Sequence, residues 1–158
     1  MCRGKFQRYV RTLGIYHVGW FNLEVPEEVL TTVLDSLSCR FDSKRISDII
    51  SLTYCVLRDL LGREPPIELV TVIVNTCLDL LKRGVRASSR GIVGAVLYLY
   101  FNYKDIPVND RWVSQKLIRN VVGVSSSTIR NVIAWIELTL GGKRETEQYF
   151  EQLPTITC

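Results

Sequence analysis

Residues 113–136 read VSQKLIRNVVGVSSSTIRNVIAWI, two apolar stripes at helical spacing separated by Gly123-Val124-Ser125. Val113, Leu117, Ile118 and Val121 make the first stripe, and Ile129, Val132, Ile133, Ile136 and Leu140 make the second. On a wheel of about 100° per residue, Val132, Ile133 and Ile136 gather around Ile129 while Ser127, Arg130, Asn131 and Ala134 fall opposite. The glycine and the serine after it predict a tight turn, with Ser125 capping the second helix and Gly141-Gly142 ending it. Ser126, Ser127 and Thr128 add hydroxyls and free backbone N–H groups at the positive end of the helix dipole, where a phosphate oxygen is favoured. The first helix offers Gln115, Lys116 and Arg119 outside its apolar stripe. Two short helices of this kind, the second presenting hydroxyls, Arg130 and Asn131, have the layout of a DNA-binding helix-turn-helix over residues 110–140. The same pattern also serves plain packing, since serines before a helix are first of all caps and helix–glycine–helix corners are common in bundles.

Working outward, SSRGIVGAVLYLYFNYK (residues 88–104) is apolar or small on every side, which predicts a helix from about Ser89 to Tyr103 buried all round at the centre of a bundle. Gly91, Gly94 and Ala95 let neighbouring helices approach it closely. A polar loop containing Pro107 follows, and Asp110 is placed to start the next helix. Upstream, Pro26 opens a helix with Glu27 and Glu28 in its first turn, ending near Cys39. Asp42 or Ser43 caps a second helix, whose stripe from Ile46 to Leu61 stops at Gly62. Ile67 to Leu81 is rich in β-branched residues, but its length and its Lys82-Arg83-Gly84 ending predict a third helix. Residues 1 to about 24 are basic and aromatic, and HVGWFNLEV (residues 17–25) at their end reads as a short strand or an extended arm. The tail from residue 142 is polar, with room for one short helix and a frayed end. The fold class is all-α: a basic arm and an extra helix over 1–42, a helical domain over 43–141, and a polar tail over 142–158.

The runs RASSRGIVGAVLYLYFNYKD and SQKLIRNVVGVSSSTIRNVIAWIELTLG resemble the last three helices of a cyclin-type repeat in archaeal transcription factor B, the relative of eukaryotic transcription factor IIB. That family has a Ser-Pro-x-Gly start, an Ala-rich, Tyr-containing central helix, a Thr-Gln-basic opening, and Gly-Val-(Ser/Thr) leading into Thr-(Ile/Val)-Arg-(Asn/Ser). Here Ser88-Ser89-Arg90-Gly91, Ala95, Tyr98, Ser114-Gln115-Lys116, Gly123-Val124-Ser125 and Thr128-Ile129-Arg130-Asn131 fall in that register. Ser89 stands where the family usually has proline, and Val132 where a second basic residue commonly follows. The family's zinc ribbon with paired CxxC motifs has no counterpart in this sequence, and residues 1–42 are too short for a second repeat. The resemblance implies one cyclin-like five-helix module over 43–141 that binds double-stranded DNA, and the helix pattern above gives Gln115, Lys116, Arg119, Ser126, Ser127, Thr128, Arg130 and Asn131 as the residues that contact it. It also implies a contact to TATA-binding protein or RNA polymerase and a role as a transcription regulator. Other cyclin-fold modules bind only proteins, which is the alternative.

Composition bounds these readings. The 158 residues suffice for one compact domain, and 20 Lys+Arg against 16 Asp+Glu permit a polyanionic partner without requiring one. The five cysteines show no CxxC spacing, and His17 is the sole histidine, so neither zinc nor a nucleophile–histidine pair is expected, no cofactor is implied, and the chain reads as a non-enzyme. Cys55 and Cys77 lie in apolar helical runs as small hydrophobes, and the odd cysteine count suits the cytoplasm. No signal peptide or membrane span is read. Lys82, Arg83, Arg86 and Arg90 either complement a helix C-terminus or extend a phosphate-binding strip. Arg3, Lys5, Arg8 and Arg11 are a DNA-contacting arm or a solvated segment.

Overall fold

The computed structural model describes residues 16–18, 21–23, 25–35 and 43–156, with side chains over 25–34 and 44–156. Apart from a two-stranded antiparallel hairpin, β1 (Tyr16–Val18) and β2 (Phe21–Leu23), with His17 opposite Asn22, the described chain is helical. Seven helices follow: α1 (Glu27–Asp35), α2 (Ser43–Leu61), α3 (Ile67–Lys82), α4 (Ser89–Tyr103), α5 (Gln115–Val122), α6 (Ser126–Leu140) and α7 (Lys143–Glu151). The helix pattern thus wins over the β-branched residues of Ile67–Lys82, as length predicts. The expected end of α1 near Cys39 and a cap at Asp42 lie outside the described residues, while Ser43, the alternative cap, is the first residue of α2.

Helix α4 is the centre. It touches α2, α3, α5, α6 and α7, and every residue from Gly91 to Leu97 is buried. Its capping serine is Ser88, whose Oγ accepts from the Gly91 N–H at 3.0 Å. Burying Ile92, Val93, Val96 and Leu97 completely stabilises the fold by about 1.5–3 kcal/mol per side chain. The two glycines on this helix mark close crossings. A Cβ built on Gly94 would lie 3.3 Å from Ile118 Cγ2 on α5, and one on Gly91 would lie 3.2 Å from Val132 Cγ2 on α6.

Three features depart from the sequence pattern. First, α4 is not alone in being enclosed: every α2 residue from Ile49 to Leu57 is buried, including Ser51 and Thr53, with β1 lying against this helix. Second, α5 does not start at Asp110. Asn109 and Asp110 have φ of 50° and 62° and form a two-residue turn, in which Val108 and Arg111 exchange backbone hydrogen bonds of 2.8 and 3.0 Å. Asn and Asp tolerate this left-handed conformation, and two such residues in succession make a hairpin turn rather than a helix start. Val113, placed by the periodicity on the stripe of α5, is buried but precedes the helix, and Ser114 is the cap. Third, the polar tail is anchored. Phe150 on α7 is fully buried, its ring 5.9 Å from that of Tyr103 on α4, and Tyr149 donates from its hydroxyl to Asp79 on α3 at 2.6 Å. Past α7, the Tyr100 hydroxyl donates to the Pro154 carbonyl at 2.7 Å and accepts from the Ile156 N–H at 3.0 Å.

Replacing Gly94 with leucine should destabilise the protein by about 1–3 kcal/mol, because its Cβ alone would already lie 3.3 Å from Ile118 Cγ2 and the rest of the side chain must be fitted into the crossing of α4 with α5. Thermal unfolding measures this. An unchanged midpoint would show that α5 does not cross α4 at this glycine.

Candidate nucleic-acid interface

Helices α5 and α6 are set by two serine caps and one glycine. Ser114 Oγ accepts from the Leu117 N–H at 3.1 Å, and Ser125 Oγ accepts from the Thr128 N–H at 3.1 Å. Between them Gly123 ends α5 at φ 82°, a conformation that strains a residue with a Cβ. One side chain of α4 also reaches this turn. Arg90 Nη1 approaches the Gly123 carbonyl at 3.4 Å, and a Cβ on Gly123 would come within 2.8 Å of that nitrogen. Burial lowers the pKa of the Arg90 guanidinium. From the far end of α4, Asn102 Nδ2 donates to the Val113 carbonyl at 2.8 Å and so fixes the chain just before α5.

With these anchors in place, the inner sides are settled by burial: Ile118 and Val122 on α5, and Ile129, Val132 and Ile136 on α6. The opposite sides then face solvent. Lys116, Arg119, Ser127, Arg130 and Asn131 are all exposed, and Arg130 Nη2 lies 3.4 Å from Ser127 Oγ, one turn earlier on the same helix. Gln115 and Ser126 are half-buried at the rim. Thr128 differs from the other hydroxyls singled out in the sequence. Its Oγ1 pairs with Ser125 Oγ at 2.9 Å and its methyl lies 3.6 Å from where a Gly91 Cβ would be, so it serves the cap and the packing on α4.

The sequence of this corner is itself free of acids. No Asp or Glu occurs between Asp110 and Glu137, while Arg111, Lys116, Arg119 and Arg130 fall in that span. Two arginines of the basic cluster at the start of α4 have different partners. Arg90 joins the α5–α6 corner, whereas Arg83 pairs with Asp79 at 2.9 Å and lies 5.4 Å from the Tyr149 ring centroid on α7. Sequence reasoning passed over Trp112, Trp135 and Leu138, large apolar side chains exposed by 63%, 42% and 73%. Trp135 and Leu138 extend the outer side of α6 beyond Asn131, at helical spacings that a wheel centred on Ile129 could have shown. The arm cations Arg3, Lys5, Arg8 and Arg11 lie outside the described residues.

No cluster of three or more His, Cys, Asp or Glu that could hold a metal occurs among the described residues, and no described helix is long and apolar enough to cross a membrane. The Cys55 thiol is pushed up to about 11, mainly by burial and further by Asp59, and burial raises Cys77 well above the ordinary thiol range. Comparison with protein families, curated proteins and solved structures returns no match.

Both cysteines are therefore held as thiols at neutral pH, and the nucleophile is the thiolate. At about pH 8, close to the free-thiol pKa, iodoacetamide should leave Cys55 and Cys77 unmodified in the native chain and alkylate both in urea. Peptide mass spectrometry reads the outcome. Rapid native labelling of either would show an activated thiol and contradict this assignment.

Proposed function

We propose that α5 and α6 form a helix-turn-helix that reads double-stranded DNA, and that residues 43–141 are a cyclin-like module of the transcription factor B kind. On this reading the protein is a cytoplasmic transcription regulator and not an enzyme. The observation that carries it is the outer face of α5 and α6, which has Arg130 and Asn131 opposite a buried stripe in a span without acidic residues. Lys116 and Arg119 meet phosphates on one flank of the groove, and Arg90, at the α5–α6 turn, adds positive charge behind them. Arg130 offers a bidentate contact to guanine and Asn131 to adenine, the pairings that major-groove geometry favours. Ser127, beside Arg130, and half-buried Ser126 offer hydroxyls to the backbone at the N-terminus of α6. The register of Ser88-Ser89-Arg90-Gly91, Gly123-Val124-Ser125 and Thr128-Ile129-Arg130-Asn131 supports the family reading.

A second reading is favoured by Trp135 and Leu138. These exposed apolar residues continue the outer side of α6 past the groove-reading positions and suit a protein partner, such as TATA-binding protein or RNA polymerase. A module that binds only such a partner would use this part of α6 and leave Arg130 without a DNA role.

The two readings separate in fluorescence-anisotropy titrations against several duplexes at two or more salt concentrations. Arg130→Ala should weaken a preferred duplex by about 1–3 kcal/mol and relax discrimination among duplexes. Lys116→Ala should weaken every duplex alike and reduce the salt slope by about one unit. If Arg130→Ala binds all duplexes as the wild type does, the protein-binding module is the better description.

A further inference from the structure

A cleft of about 380 Å³ lies between the end of α2, the turn at Asn109-Asp110 and the start of α5. Leu60, Val108 and Leu117 give it apolar walls, Trp112 contributes an exposed indole, and Asn109, Arg111 and Ser114 supply polar groups. The edges are fixed. The Val108–Arg111 backbone pair closes the turn tightly, and Asn102 holds the Val113 carbonyl, so Trp112 is displayed between two anchored points. An indole 63% exposed on so constrained a segment is poised for a partner with a flat apolar face.

The lining's own charge narrows what that partner is, since Arg111 is its one ionisable residue. Arg111 begins the acid-free span, which continues along α5 through Lys116 and Arg119. Asp110, at the tip of the turn, is not part of the lining. A planar apolar group beside a cation and hydrogen-bonding side chains matches a nucleotide: base on the indole, phosphate at Arg111, base edge at Asn109 or Ser114. Bases within a duplex are stacked on one another and present no free face, so the matching base is an unstacked one.

We propose that this cleft holds one unpaired nucleotide of a single-stranded stretch adjoining the bound duplex, stacked on Trp112 with its phosphate at Arg111. The proposal rests on the duplex-binding reading and deepens it, since it makes the protein a reader of junctions between paired and unpaired DNA.

The test compares binding of the full chain to a blunt duplex, the same duplex with a short single-stranded overhang, and the overhang strand alone. Anisotropy gives the affinities, and circular dichroism checks that each variant is folded. The overhang should tighten wild-type binding roughly tenfold, a gain of the size expected for one stacked base. Trp112→Ala should remove that gain while binding the blunt duplex as the wild type does, and Trp112→Phe should keep part of it. No overhang gain in the wild type, or a gain that survives Trp112→Ala, overturns the proposal. So does a nucleoside monophosphate that competes as well as the oligonucleotide, because the cleft would then be a small-molecule site. A wild type that ignores the blunt duplex but binds the single strand through Trp112 would remove the duplex reading and leave this site standing. Binding to none of the three would remove both.

Discussion

Everything on the outer face of α5 and α6 depends on the absence of two side chains from α4. Gly91 and Gly94 stand one turn apart, and each leaves room for a branched side chain from the crossing helix, Val132 and Ile118 respectively. Glycine inside a helix costs about 1 kcal/mol relative to alanine, and the packing it allows here offsets that cost. Once Ile118, Val122, Ile129 and Val132 are seated against α4, helix geometry leaves Lys116, Arg119, Arg130 and Asn131 no direction but outward. The exposed cations and amide are thus a consequence of the interior.

The same helix organises the electrostatics at both ends. At its N-terminus Arg90 reaches the α5–α6 turn, and at its C-terminal half Asn102 and Tyr100 hold the segments around Val113 and beyond Leu153. Arg83 is drawn the other way, into the contact of Asp79 with Tyr149 on α7. Two arginines seven residues apart in sequence therefore serve different helices. One adds positive charge beside the proposed DNA face, and the other fastens the last helix.

What could be read from the sequence was what burial makes periodic. The Ser89–Tyr103 helix was legible because its apolar residues occupy every side, and the α5–α6 corner because Gly123 and Ser125 mark a stop and a start that only a few residue types provide. Helix α2 was harder, since Ser51 and Thr53 interrupt its apolar pattern although both are buried. The start of α5 was misread because an Asn-Asp pair before an apolar run fits a helix cap and a hairpin turn equally well, and only the Val108–Arg111 pairing decides between them. Thr128 was placed with the outer hydroxyls because it stands at the start of α6 and in the Thr-Ile-Arg-Asn run, but its short side chain bonds back to Ser125 and meets Gly91. The exposure of Trp112 had no signal in periodicity, because it depends on a turn and on an anchor from Asn102, eleven residues upstream of the carbonyl it holds.

The central claim is that one face, built by α5 and α6 on the glycines of α4, meets duplex DNA. Backbone amide chemical shifts recorded while a short duplex is titrated into the isotope-labelled protein test it most directly, because they show which residues respond without any mutation. The account predicts changes concentrated at residues 114–119 and 125–131 and around Arg90, with α1, α3 and α7 unaffected. Changes centred on α3 and α7, or none at low salt, would contradict it.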